Sequence, residues 1–164
     1  MWYDLTNKRI PWIEKCERRM DMKYSAMEVA RHIITKCSEE GKAISNLKLQ
    51  KMLYFLWVDF YKKTAGFLFS DDICAWQLGP VVPEVYYEYC SYGGRPIFAE
   101  YTSKINNNDR WILNDLIDDY IDLPASILVS RTHKSGSAWD RIYKNGLGNR
   151  KIIPFSLIIE REVG

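Results

Sequence analysis

Apolar residues recur at steps of three and four from Ala26 through Val29, Ala30, Ile33 and Ile34 to Cys37, the spacing of one face of an amphipathic helix. Ser25, with Glu28 three residues on, supplies the reciprocal capping pair of a helix start, and Glu39-Glu40-Gly41 closes the run. A second helix is predicted from Ser45, with Ile44 placed to staple onto Leu49. Leu49, Met52, Leu53, Leu56 and Phe60 make one stripe, and Tyr54, Phe55, Trp57, Val58 and Tyr61 make a second, so its later turns are apolar almost all round. Such a helix is enclosed by the others. It is expected to end between Lys62 and Gly66, where lysines suit the negative end of the dipole and Gly66 permits a left-handed cap.

Residues 67–69 and 73–76 read as short extended segments about the polar turn Ser70-Asp71-Asp72. The apolar run 73–78 then meets Gly79-Pro80, a permissive residue followed by a locked one, which marks a sharp corner. Pro83 suits the first position of a helix, where a missing N–H costs nothing. Val82, Val85, Tyr86, Tyr89 and Cys90 share a face of that helix, and Gly93-Gly94 stops it. The stretch is a strand, a rigid corner and a helix, and glycine and proline there favour geometry over direct contact.

Farther on, residues 95–99 suggest an edge strand, and Asn106 is a good cap for a helix whose core stripe is Ile112, Leu113, Leu116, Ile117 and Tyr120. Asp115, Asp118, Asp119 and Asp122 read as its solvated face, able to meet a basic partner. Pro124 opens another helix reaching Thr132, residues 144–151 form a flexible basic loop, and residues 155–159 close the chain as helix or strand. The fold class is mainly α (α+β), a single compact helical domain around a buried central helix with a small two-stranded β element.

Composition narrows the function. A chain of 164 residues, 47% hydrophobic, supports one good core, and 23 basic against 21 acidic residues leave no nucleic-acid footprint. The scattered Cys16, Cys37, Cys74 and Cys90 read as small hydrophobes in a reducing cytosol, not as zinc ligands or disulfides. Without a signal-like start or a membrane-length apolar run, the protein is expected to be cytoplasmic with no membrane partner. Residues 1–22, with Trp2, Ile10, Trp12 and Ile13 as apolar positions, are read as an arm outside a 23–164 domain.

Candidate chemistry is sparse. His32 falls off its helix stripe and reads as a surface residue, and Lys48, Gln50 and Lys51 read as the solvated start of the second helix. A recognition helix would need an exposed face, which this helix lacks, so a nucleic-acid-binding regulator using Lys48, Lys51 and residues 145–151 stands only as the alternative. Ser130, Thr132 and His133 with Asp140 evoke a hydrolase, yet neither a nucleophile elbow nor a glycine-rich oxyanion loop accompanies them. His133 is read as a hydrogen-bonded residue pinning a helix end near Trp139. No catalytic, metal or cofactor site is expected.

Four ordered motifs carry a resemblance. Tyr24-Ser25-Ala26 with Val29-Ala30 and Ile33-Ile34, the run from Ile44 to Tyr54, Ala75-Trp76 with the run from Gly79 to Tyr86, and Leu128 to His133 with Ala138-Trp139 together resemble the Panacea domain. This is the SocA-like antitoxin family, which also takes in phage-associated GepA-type proteins. The resemblance implies a mainly helical, non-enzymatic domain that binds and neutralises a cognate protein toxin, with a relative that hands its toxin to a cellular protease. The family's characteristic positions carried onto this chain are Lys48, Leu49, Gln50, Lys51, Trp76, Gly79, Pro80, Val81, Pro83, Tyr86, Thr132, His133 and Trp139. Ser135-Gly136-Ser137 departs from the family's more proline-rich link. Tyr86, Tyr87, Tyr89 and Tyr92 are candidate partner contacts, with Tyr86 and Tyr89 favoured as core.

Overall fold

The computed structural model describes residues 24–164, so the readings that fall on the N-terminal arm, its apolar positions and Cys16 lie outside the described residues. Ser25 and Glu28 form the expected capping box, and Ala26, Val29, Ala30, Ile33, Ile34 and Cys37 of helix α1 (Ala26–Glu39) are all buried. Helix α2 (Asn46–Thr64) starts on Ser45, whose hydroxyl accepts the Lys48 N–H. Its apolar circumference is enclosed as predicted. Trp57 is fully buried, donates its ring N–H to the Phe69 carbonyl at 3.0 Å and stacks on Phe155 at 4.8 Å. The left-handed cap falls on Ala65 (φ 56°) and not on Gly66, because the Ala65 N–H already closes onto the Tyr61 carbonyl and the Gly66 N–H is taken by the Thr64 hydroxyl.

The hairpin differs from the sequence reading. Strands β1 (Cys74–Trp76) and β2 (Gly79–Val81) pair antiparallel with Ala75 opposite Pro80 and Trp76 opposite Gly79, so the turn lies at Gln77-Leu78 and the presumed corner is itself a strand. The physical reason is that Pro80 occupies a position whose backbone points away from β1, where a missing N–H breaks no ladder bond. On its other side β1 receives residues 150–153: Ala75 exchanges bonds with Lys151 and Arg150, and Ile153 donates to Ile73.

Helix α3 (Pro83–Glu88) starts at its proline as expected and passes into a 3-10 turn, Cys90–Tyr92, that ends at Gly93 (φ 58°). Val82, Val85 and Tyr89 face inward, whereas Cys90 is exposed, unlike buried Cys37 and Cys74. Residues 95–99 form no strand; Pro96 lacks an N–H, and pairing is limited to one bridge between Ile97 and Ile44.

Asn106 caps α4 (Asn107–Ile121), which buries Leu113, Leu116, Ile117 and Tyr120. Asp115, Asp118, Asp119 and the C-cap Asp122 are exposed, and three of them meet lysines: Asp115 with Lys63, Asp118 with Lys36 and Asp122 with Lys42. Exposed pairs of this kind contribute little stability, roughly 0–1 kcal/mol each, but they do neutralise the face. His32 is not a surface residue. It is 8% exposed, and its ring nitrogen sits 2.8 Å from the Asn114 side-chain oxygen, a bond across 82 residues that no local pattern reveals; burial lowers its pKa.

Helices α5 (Ala125–Thr132) and α6 (Ala138–Tyr143) follow, the latter capped by Ser137. Beyond Pro154 the chain chooses helix: α7 (Phe155–Ile158) runs into a π-helical turn, Ile159–Val163. Among the described residues no helix is long and apolar enough to cross a membrane.

Candidate functional site

Polar side chains at the start of α2 take up the backbone of β2 and α3. Asn46 Nδ2 donates to the Tyr86 carbonyl at 3.0 Å, and Gln50 Nε2 donates to Asn46 Oδ1 at 3.0 Å. Gln50 Oε1 accepts the Val82 N–H at 2.9 Å, and Lys51 Nζ donates to the Pro80 carbonyl at 2.6 Å. A strand edge presents unpaired N–H and C=O groups that must find partners when buried. Here α2 supplies them in place of a neighbouring strand. The sequence reading of Gln50 and Lys51 as solvated is therefore overturned: they are 2% and 0% exposed.

Close approach makes glycine necessary at the next step. Gly79 has φ +109°, and a Cβ there would lie 2.6 Å from Thr132 Oγ1 and 3.0 Å from Lys51 Cε and Nζ. Thr132 is buried, with its hydroxyl donating to the Val129 carbonyl at 2.7 Å. Beside it, the His133 ring stacks on Trp139 at 3.9 Å, and Trp139 donates its ring N–H to the Trp76 carbonyl at 2.8 Å. Glu162 fastens the other side, accepting from the Tyr54 hydroxyl and from the Ala138 N–H, both at 3.0 Å.

Electrostatics in this cluster favour uncharged forms. Burial pushes the Lys51 amine down to about 7, with no carboxylate to offset the desolvation. His133 is lowered as well, by burial first and then by the charge of Lys51, with Asp140 acting in the opposite direction.

Of the sequence-predicted positions, the fold brings together Gln50, Lys51, Trp76, Gly79, Pro80, Thr132, His133 and Trp139. Val81 lines β2, Tyr86 packs edge-on against Trp76 at 4.9 Å, Pro83 begins α3 and Leu49 faces the core. Lys48 goes elsewhere: its amine donates to the Ile121 carbonyl at the end of α4, and burial lowers its pKa. With Lys51 enclosed and Lys48 bonded to backbone, neither amine stands ready for a phosphate.

Among the described residues the hydrolase candidates Ser130, Thr132, His133 and Asp140 form no nucleophile–base pair. The Thr132 hydroxyl is held by Val129, Ser130 is exposed, and Asp140 accepts the Gly136 N–H; among the described residues His133 Nε2 has no hydrogen-bond partner, so the expected hydrogen bond is replaced by the ring's stack on Trp139. Among the described residues no group of three His, Cys, Asp or Glu is placed to hold a metal ion. The arrangement sets a strand–helix junction rigidly and offers no reacting centre. Replacing Gln50 by Ala should therefore act on stability: it orphans the Val82 N–H and removes the donor to Asn46, an expected loss of about 1–3 kcal/mol read from the urea midpoint.

The family described as Antitoxin SocA-like, Panacea domain, matches residues 49–140. Antitoxin SocA of Caulobacter vibrioides is 32% identical over 136 residues, which cover 75% of this chain and 72% of that protein. The chain belongs to the SocA-like Panacea family. No solved structure matches it. The Panacea match opens at Leu49 and closes one residue past Trp139, so it contains Gln50, Lys51, the hairpin and the Thr132–His133–Trp139 stack. Asn46, Arg150 and Glu162, which complete the Panacea scaffold here, fall outside the matched span and were not singled out from the sequence. For Asn46 a signal existed in its four-residue spacing from Gln50. Arg150 and Glu162 act across 75 and 108 residues, on Ala75 and Tyr54, where no local signal operates.

Proposed function

We propose that this Panacea chain is an antitoxin that neutralises a protein toxin by binding it directly in the cytoplasm, without enzymatic activity of its own. The observation that carries the reading is its likeness to Antitoxin SocA across three quarters of its length. The geometry supports it. The Lys51 amine, the Gln50 side-chain oxygen and the Thr132 hydroxyl are bonded to the chain's own backbone, and among the described residues His133 has no hydroxyl to serve, which favours contact through the outer surface as the means of action.

The test is co-expression. Products of the reading frames flanking its gene are expressed alone and together with this chain. One of them is expected to arrest growth alone, to be tolerated with the chain and to co-elute with it as a complex. Following that product's half-life with and without the chain separates occlusion from delivery to a protease. Growth rescue without a complex, or turnover of a small compound by the purified chain, would contradict the reading.

A further inference from the structure

Residues 150–153 lie against β1 in the register set by Cys74 opposite Ile152, which places Arg150 opposite Trp76 on the same face of the sheet. The Arg150 guanidinium carbon stands 4.6 Å from the centroid of the Trp76 ring, and Nη1 is 3.5 Å from the Tyr87 hydroxyl. Arg150 is held there against its own backbone preference: φ is +67°, fixed by its N–H bonding the Ala75 carbonyl at 2.6 Å. Lys144 and Asn145, in the same loop, are also left-handed, and a Cβ on Gly148 would strike the Ile142 carbonyl at 1.7 Å. A loop maintained in several disfavoured conformations is one whose shape is used. It is pinned, not the flexible loop that its composition suggested.

Among the described residues the charge on this face is unanswered. Arg141, Lys144, Arg150 and Lys151 occur between Asp140 and Glu160 with no intervening acid. Among the described residues no carboxylate makes an ion pair with Arg150, Lys144 or Lys151, whereas Asp115, Asp118 and Asp122 have their lysines. Leu78 in the hairpin turn after Trp76, Tyr87 and Ile152, two residues along the segment from Arg150, are each about half exposed. Glu84 and Glu88, on the same helix as Tyr87, are exposed, so an acidic group is repelled by that helix and drawn to the basic loop.

Resting on the antitoxin reading, we propose that the toxin is gripped on this outer face, with Arg150 receiving a toxin carboxylate while Trp76, Leu78 and Tyr87 take an adjoining apolar side chain. A guanidinium spread flat on an indole keeps its N–H edge outward and its fork pre-set for a carboxylate. Trp, Tyr and Arg are also the residue types that dominate interface energetics.

The probe is the toxin that the wild-type chain neutralises in co-expression. Arg150→Glu and Tyr87→Ala are each expected to weaken its binding by ~30-fold or more, the loss typical of an interface hot spot, with the melting temperature unchanged. Arg150→Lys should recover only part, since an ammonium lacks the fork. Reversing one toxin carboxylate should restore binding to the Arg150→Glu chain. Asp119→Lys, on α4, should leave binding as it was. Hydrogen exchange on the wild-type complex gives a readout without variants, with protection expected at residues 76–87 and 147–152. Wild-type affinity in both Arg150→Glu and Tyr87→Ala, protection elsewhere, or occupation of the face by a second copy of the chain or by duplex while toxin still binds would each overturn the proposal. Failure of the antitoxin reading is distinguishable, because it shows in the wild-type arm as the absence of any neutralised toxin, and it overturns the proposal with it.

Discussion

A Gly79→Ala chain is expected to lose about 3–5 kcal/mol of stability, a large share of the 5–15 kcal/mol typical of a domain, and to melt ~10 °C or more below its parent. Two effects add. At φ +109° an L residue is strained, and its Cβ would stand 2.6 Å from Thr132 Oγ1. The threonine cannot swing aside freely, since its hydroxyl is bonded to Val129 and its side chain is enclosed. The flexible end of Lys51, 3.0 Å away, can retreat only by giving up the Pro80 carbonyl. A Gly79→Ala, Thr132→Ala double variant should therefore recover part of the loss, which a thermal melt reads as a coupling between the two sites. A single Gly79→Ala variant melting within ~2 °C of the parent would show that the junction is looser than described.

The second large effect is on pH dependence. Burial holds Lys51 at about 7 in the folded chain, against an ordinary value of 10.5. With the folded pKa below the unfolded one, the unfolded state binds more protons between those values, so Lys51's contribution to stability rises with pH across that window and its penalty is full at and below about pH 7. From pH 7 to pH 9 the parent should gain about 2 kcal/mol from this residue relative to Lys51→Met. Ionisation of buried Cys37 and of the tyrosines works the other way at higher pH, but it is common to both chains and cancels in the difference. Denaturant melts at pH 6, 7, 8 and 9 measure it. A difference between parent and Lys51→Met that stays constant over that range would mean that Lys51 is charged and compensated in the folded chain.

Much of this fold is legible locally. The helix periods of α1, α2 and α4, the capping residues Ser25, Ser45 and Asn106, and the proline start of α3 all lie where the sequence places them, because each depends on neighbours within one turn. What is not legible is set by distant partners. Gln50 and Lys51 look solvated at a helix start, and only the arrival of β2, about thirty residues on, turns them into edge partners. Gly79-Pro80 looks like a turn until the pairing with β1 shows Pro80 facing away from the ladder. The third sheet segment and Arg150 depend on a contact across 75 residues. The family motif is therefore legible by likeness, whereas its physical role, a junction latched from α2, is set by contacts between residues far apart in the chain.

Dividing the molecule into an inner latch and an outer grip can be tested in one paired measurement of toxin affinity and melting temperature, on Gln50→Ala and Lys51→Met on one side and Arg150→Glu and Tyr87→Ala on the other. Measured where every chain is folded, the first pair should shift melting and leave toxin affinity within ~3-fold, while the second should lose ~30-fold or more in affinity and melt as the parent does. Loss of toxin affinity in the first pair at unchanged stability would contradict the account, because it would place the toxin on Gln50 and Lys51 themselves.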